Sequence, residues 1–173
     1  ESARNSIVSS GGIFSNNSAV AVSGSGFLTI AGSSYAIYTQ GLTVKNGVTL
    51  TTTSNGCAVS TSGAGDTTVQ AGGKLSATGG VYGLQIDGKL IVDGGEVEGV
   101  MNSHNGNYGI QANSIEVKNG GKLTGTSFGA GGYGVVVSND ITVSGSSELT
   151  GTATGTNNGM GVCAAYGSII VTD

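Results

Sequence analysis

Few residues of this 173-residue chain are equipped for acid–base, metal or nucleophilic chemistry: ten Asp and Glu, one His and two Cys. Glycoside hydrolysis needs two carboxyl groups facing each other across a cleft. Glu96 and Glu98 stand at i and i+2, so on a strand both project from one side and do not oppose each other. Asp93 and Glu116 are the remaining carboxylates near them. His104 lies in the segment 100–107, between patterned stretches. A lone His can serve as base or ligand, yet no Cys, second His or Asp stands at the spacing of a zinc site. No catalytic residue, metal or other cofactor is assigned, and His104 is retained only as a loop residue able to contact a ligand.

What must position these side chains is a repeat of about 25 residues. One anchor is a large residue, then Ala or Gly, then an aliphatic: Tyr35-Ala36-Ile37, Cys57-Ala58-Val59, Tyr82-Gly83-Leu84, Tyr108-Gly109-Ile110, Tyr133-Gly134-Val135 and Met160-Gly161-Val162. A second ends in Val: Leu42-Thr43-Val44, Thr67-Thr68-Val69, Leu90-Ile91-Val92, Ile115-Glu116-Val117, Ile141-Thr142-Val143 and Ile169-Ile170-Val171. Leu50, Leu75, Val97, Leu123 and Leu149 mark a third. Each run alternates with period 2 and is short, which reads as three strands per unit. Asn46-Gly47, Gly72-Gly73, Gly94-Gly95, Asn119-Gly120 and Ser144-Gly145 supply turns before the third strand. Hairpins would not bring the same columns into line, whereas stacked parallel coils do, at about 4.8 Å per step. The expected fold is all-β: a single-stranded right-handed parallel β-helix of about seven coils and roughly 35 Å. Residues 1–34 form irregular first coils and 35–173 regular ones, in a single β-helix domain. The last residues lie on a strand and residues 1–6 are too short for a helical cap. Solenoids need caps, so a segment of a longer protein, or a partner covering an end, is expected.

Charges fix the register. The residue before the third-strand aliphatic is Thr49, Lys74, Glu96, Lys122 and Glu148, so signs alternate between neighbouring coils, and Asp93 and Lys118 share another column. Unlike charges opposite one another attract and like charges repel. Lys122 and Lys118 are accordingly the expected ladder partners of Glu96 and Asp93. The cysteines are four coils apart, roughly 19 Å by the coil spacing, too far for a disulfide. Cys57 should be a buried small hydrophobe and Cys163 an outward thiol.

If the first and third anchor positions point inward, the second points out. The outward first face is then a shallow strip floored by Ala36, Ala58, Gly83, Gly109, Gly134 and Gly161. Gln85, Asp87, Gln111 and Asn113 line it as candidate glycan contacts; the alternative is an amide ladder that only stabilises the rod. Thr columns at 50–53, 123–126 and 149–152 have the look of ice-binding faces, but Glu98 and Val100 interrupt them. The connections 99–107, 125–132 and 151–159 should cluster at one corner, where loops on a rigid scaffold can carry function.

With 34 Gly and no Pro, the composition is neither collagen-like nor Pro-linker-like, and 9% charged residues against 37% hydrophobic argue for a folded chain. A net charge of −4 with scattered Lys offers no stripe for nucleic acid. No apolar run is long enough for a membrane span.

At anchors such as Tyr108-Gly109-Ile110 and Ile115-Glu116-Val117, the sequence resembles the pectin-lyase-like right-handed β-helix superfamily. It is closer still to degenerate coil repeats of secreted or surface proteins of gut bacteria. The likeness covers about residues 19–173. It implies an extracellular or cell-surface location, in a superfamily of lyases, hydrolases, adhesins and stalks. Its enzymes hold calcium with clustered Asp and abstract a proton with a basic residue. Here the only Arg is Arg4, outside the clear repeat, and Asp87 and Asp93 share no column with Asp66 or Asp140. No catalytic residue carries over. The expectation is a non-enzymatic surface or secreted module, a stalk or adhesin-like scaffold, with a glycan or a host or cell-surface protein as partner and end-to-end or side-to-side contacts open. The alternative is a carbohydrate-binding module or a fragment of a polysaccharide lyase or hydrolase.

Overall fold

A computed structural model of the chain describes residues 4–8, 12–104 and 107–173, with backbone alone for 4–8. Every described element is a strand, and every strand pairing is parallel. The first face stacks β2 (Ile13–Ser15), β5 (Tyr35–Thr39), β8 (Cys57–Thr61), the first halves of β11 (Tyr82–Asp93) and β13 (Tyr108–Lys118), β15 (Tyr133–Val137) and β18 (Met160–Ala164). The second face stacks β3 (Val20–Val22), β6 (Leu42–Val44), β9 (Thr67–Gln70), the second halves of β11 and β13, β16 (Ile141–Val143) and β19 (Ile169–Val171). The third holds β1 (Arg4–Val8), β4 (Gly26–Gly32), β7 (Val48–Ser54), β10 (Lys74–Gly79), β12 (Glu96–Met101), β14 (Lys122–Ser127) and β17 (Glu148–Ala153). The result is a β-solenoid of about six turns, close to the seven expected.

The register matches the charge argument. Thr49, Lys74, Glu96, Lys122 and Glu148 are successive partners, and Asp93 pairs with Lys118. The buried columns follow the anchors: Ile37, Val59, Leu84, Ile110 and Val135 from the first face, Val44, Val69, Val92, Val117 and Val143 from the second, and Leu50, Leu75, Val97 and Leu123 from the third. Each is an aliphatic stacked on an aliphatic, so the core is a continuous rod and no coil could bury its apolar side alone. The turns before the third face use left-handed backbone, at Gly47, Gly72, Gly94 and Asn119 among others.

Two coils depart from three short strands. In β11 and β13 the chain passes from the first face to the second as one continuous strand. The register slips between Ile86 and Lys89, where Asp87 and Gly88 stand opposite the single Asn113. That bulge turns the corner, as an extra residue in one strand does.

The corner between the third and first faces tapers along the rod. On the third face one column, buried as far as Gly125, runs Ile30, Thr52, Ala77, Gly99, Gly125, Gly151. Facing it, Ala36 and Ala58 give way to Gly83, Gly109, Gly134 and Gly161. In the later coils the two backbones touch: a Cβ on Gly125 would meet the Gly134 carbonyl oxygen at 2.3 Å, and one on Gly109 the Thr126 nitrogen at 2.5 Å. These glycines therefore point into the solenoid. The Gly-floored outward strip is corrected: the second anchor position faces inward, because only a residue without Cβ fits where the sheets converge.

Candidate functional site

With the glycines inside, the large first-anchor residues are left outside, which corrects their expected inward placement. Tyr35, Cys57 and Tyr82 are neighbours in register, as are Tyr108, Tyr133 and Met160. The rings of Tyr108 and Tyr133 stack with centroids 5.3 Å apart and planes within 3°. Tyr82 lies 5.7 Å from Tyr108 but tilted by 55°. Tyr35 meets Tyr38 edge-on at 5.2 Å, and Tyr38 stacks on exposed Phe14 at 5.0 Å. An aromatic ridge therefore runs along this corner, interrupted at Cys57, where the side chain is small and buried. Burial pushes the Cys57 thiol up to about 12, so it is inert at neutral pH. Both cysteines are free, as expected, with Cys163 half-buried on the outside.

Ser33, Ser34, Tyr35, Asn55, Gly56, Cys57, Val81, Tyr82 and Gln85 line an open slot of about 370 Å³ over that interruption. It stays open because the preceding turns are two residues long, at 33–34, 55–56 and 80–81. Later coils carry longer loops at the same corner. As expected these cluster: Ala130 N–H donates to the His104 carbonyl at 3.2 Å, and Gly131 N–H to the Thr156 carbonyl at 2.8 Å.

The sequence-selected contacts fall in three places. Gln85 and Gln111 are neighbours in register, half-buried and facing out. The Gln111 Oε1 is buried without a hydrogen-bond partner, so the amide ladder is not closed there. Asp87 and Asn113 meet at the bulge, on the far border of the first face. Asp87 Oδ2 accepts from the Gly63 N–H at 3.2 Å, and Asn113 Oδ1 from Asn139 Nδ2 at 2.8 Å. His104 is exposed at the opposite corner, across the width of the first face from Asp87 and Asn113. The five residues thus do not form one site. Only Gln85 lines the slot, and the sequence reading missed the tyrosines around it. Their column was visible, but strict alternation placed them inside.

The carboxylates are engaged by the coil stack. Lys74 Nζ pairs with Glu96 at 2.7 Å and Lys122 Nζ with Glu148 at 3.4 Å. Ser76 Oγ donates to Glu98 at 3.0 Å. Glu116 takes both Lys118, at 3.2 Å, and Lys89, at 3.4 Å. These contacts, led by the Lys118 hydrogen bond, hold its carboxyl below the usual range. Asp93 accepts instead from Asn119 Nδ2 at 2.6 Å. Lys122 and Lys118 stand opposite Glu96 and Asp93 in the ladder, as expected, but the ion pairs close elsewhere: Glu96 binds Lys74 and Lys118 binds Glu116. Long side chains reach along their own strand as readily as across it. Asp66 and Asp140 each accept a backbone N–H of the next coil, from Lys89 and Ser168, both at 2.8 Å. Among the described residues, no three His, Cys, Asp or Glu side chains gather as metal ligands would.

Fold and surface together define a parallel β-solenoid with an aromatic ridge along one corner. No protein-family model, curated protein or solved structure matches the chain.

Proposed function

We propose that this chain is a non-enzymatic module of a secreted or cell-surface protein, a rigid stalk or adhesin-like scaffold of the pectin-lyase-like type. The observation that carries the reading is the use made of its carboxylates. Glu96, Glu98, Asp93 and Glu116, the candidates for acid–base chemistry, each have a partner in the stack. Hydrolysis of a glycosidic bond needs one carboxyl kept protonated by its surroundings and a second facing it. Glu116 is instead held in its charged form by two Lys. A regular core with charge ladders outside suits a spacer whose length is set by coil number.

The test is depolymerisation. The purified chain is incubated with pectate, alginate, chondroitin sulfate and β-glucan, and new reducing ends and unsaturated products are followed. No release above the buffer rate is expected. Release that disappears on changing Glu96, Glu98, Asp93 and Glu116 to their amides would overturn the scaffold reading.

A further inference from the structure

We infer that the slot over Cys57, between Tyr35 and Tyr82, is a binding site for one ring of a neutral glycan. Tyr35 and Tyr82 are both in register with Cys57, one on each side along the rod. Two strand steps separate them, about 9.6 Å. That leaves room for one ring in the column, with one strand step on each side of Cys57, about 4.8 Å. That is close to the 5.3 Å the ladder itself adopts at Tyr108 and Tyr133. Cys57 is the rung where the chain supplies no ring, and the tilt of Tyr82 away from Tyr108 belongs to the tyrosine that borders it.

The rim selects the ligand. The Ser34 hydroxyl and the Asn55 and Gln85 amides surround the slot and have no side-chain partner among the described residues. Together they offer donors and acceptors at the edge of a space bordered by Tyr35 and Tyr82. A pyranose matches this arrangement, with C–H groups on its faces and hydroxyls round its edge. A phenyl or indole ring would cover the amides without satisfying them, which costs free energy. No lining residue is charged, so a neutral sugar is favoured over a uronic acid. Depth is set by Gly56, where a Cβ would lie 2.4 Å from the Ser34 carbonyl oxygen. The inference does not depend on the scaffold reading, since a sugar site without catalytic groups leaves polysaccharides uncut.

The test is calorimetric titration of the intact chain with cellohexaose, mannohexaose and β-1,4-galactohexaose, with trigalacturonate as the charged comparison. At least one neutral hexasaccharide is expected to bind and trigalacturonate not to. Cys57→Tyr supplies the missing ring and should abolish binding. Should that variant not fold, Tyr35→Ala at an already exposed position is expected to weaken binding about tenfold. Tyr133→Ala, two coils from Tyr82, should leave it unchanged. Silence of all three neutral hexasaccharides overturns the inference, as does binding that Cys57→Tyr or Tyr35→Ala leaves intact. Binding of N-acetyltryptophanamide alone also overturns it, assigning the slot to an aromatic side chain of a protein partner.

Discussion

Gly109→Ala is the sharpest probe of how this solenoid closes. Gly109 sits on the first face, where simple alternation would turn it to solvent. A Cβ there would meet the Thr126 nitrogen at 2.5 Å, the Thr126 oxygen at 2.6 Å and the Gly134 oxygen at 2.7 Å. Ordinary van der Waals contact begins at 3.4 Å, so the first and third faces must part by roughly 0.8–0.9 Å at Thr126, and the Gly134 oxygen on the first face must give way as well. All three atoms are backbone and belong to ladders, so no rotamer change relieves the clash. Overpacking costs about 1–3 kcal/mol, and a contact made wholly with backbone belongs at the upper end, about 3 kcal/mol. Urea unfolding followed by far-UV circular dichroism should show a lower midpoint with an unchanged slope. Gly134→Ala, in the next coil and equally confined, should repeat it. An unchanged midpoint for both would refute the inward orientation and restore an outward strip floored by glycine.

Lys122→Glu places three glutamates in line with Glu96 and Glu148, and should cost about 0.2–1 kcal/mol per opposed pair. The loss should largely vanish in molar salt, since these groups are exposed and screened; equal losses at low and high salt would break the link between register and charge. Glu116 gives a pH dependence. Its native carboxyl is held below the ordinary value of 4.5, so its stabilisation is complete above that pH and is lost as the pH falls through the native value. Glu116→Gln should therefore flatten the acid limb of midpoint against pH and lower the midpoint modestly at neutral pH; an identical acid limb in the variant would refute the pairing with Lys89 and Lys118.

The register was legible because the repeat constrains it many times over. Lys74, Glu96, Lys122 and Glu148 alternate in sign at the same phase as Leu75, Val97, Leu123 and Leu149, and one shift would spoil both patterns. The direction of the tyrosines was not. Strand alternation assumes that only every second residue is buried, but Ala36 and Ile37 are buried in succession, as are Gly83 and Leu84. A corner where two sheets touch hides a small residue that alternation would expose, and that neighbour relation lies between faces, not along a strand. The same limit applies to ion pairs. Cα register predicts who stands opposite whom, yet Glu116 draws Lys118 from two residues along its own strand. The slot is legible only in combination: Cys57 in a tyrosine column is an odd residue, and it becomes a site only once that column faces out.

The taper of the third–first corner explains why the slot lies where it does. Early in the rod the corner holds the buried side chains of Ile30, Ala36, Thr52 and Ala58, and the turns there are two residues long. From Gly99 onward the backbones touch, and the connections lengthen into the loops at 102–107, 128–132 and 154–159. Those loops continue the hydrogen-bonded stack, through Ala130 to His104 and Gly131 to Thr156, and lead directly into Tyr108 and Tyr133. Tyr82 is the last ridge residue that follows a short turn. A ligand seated over Cys57 is therefore bounded on the side of the later coils by Val81, Tyr82 and Gln85. On the other side it faces the open run of Tyr35, Tyr38 and Phe14, the last 64% exposed. The geometry gives the site a direction along the rod, from Tyr82 after the last short turn toward the aromatic pair of the first coils.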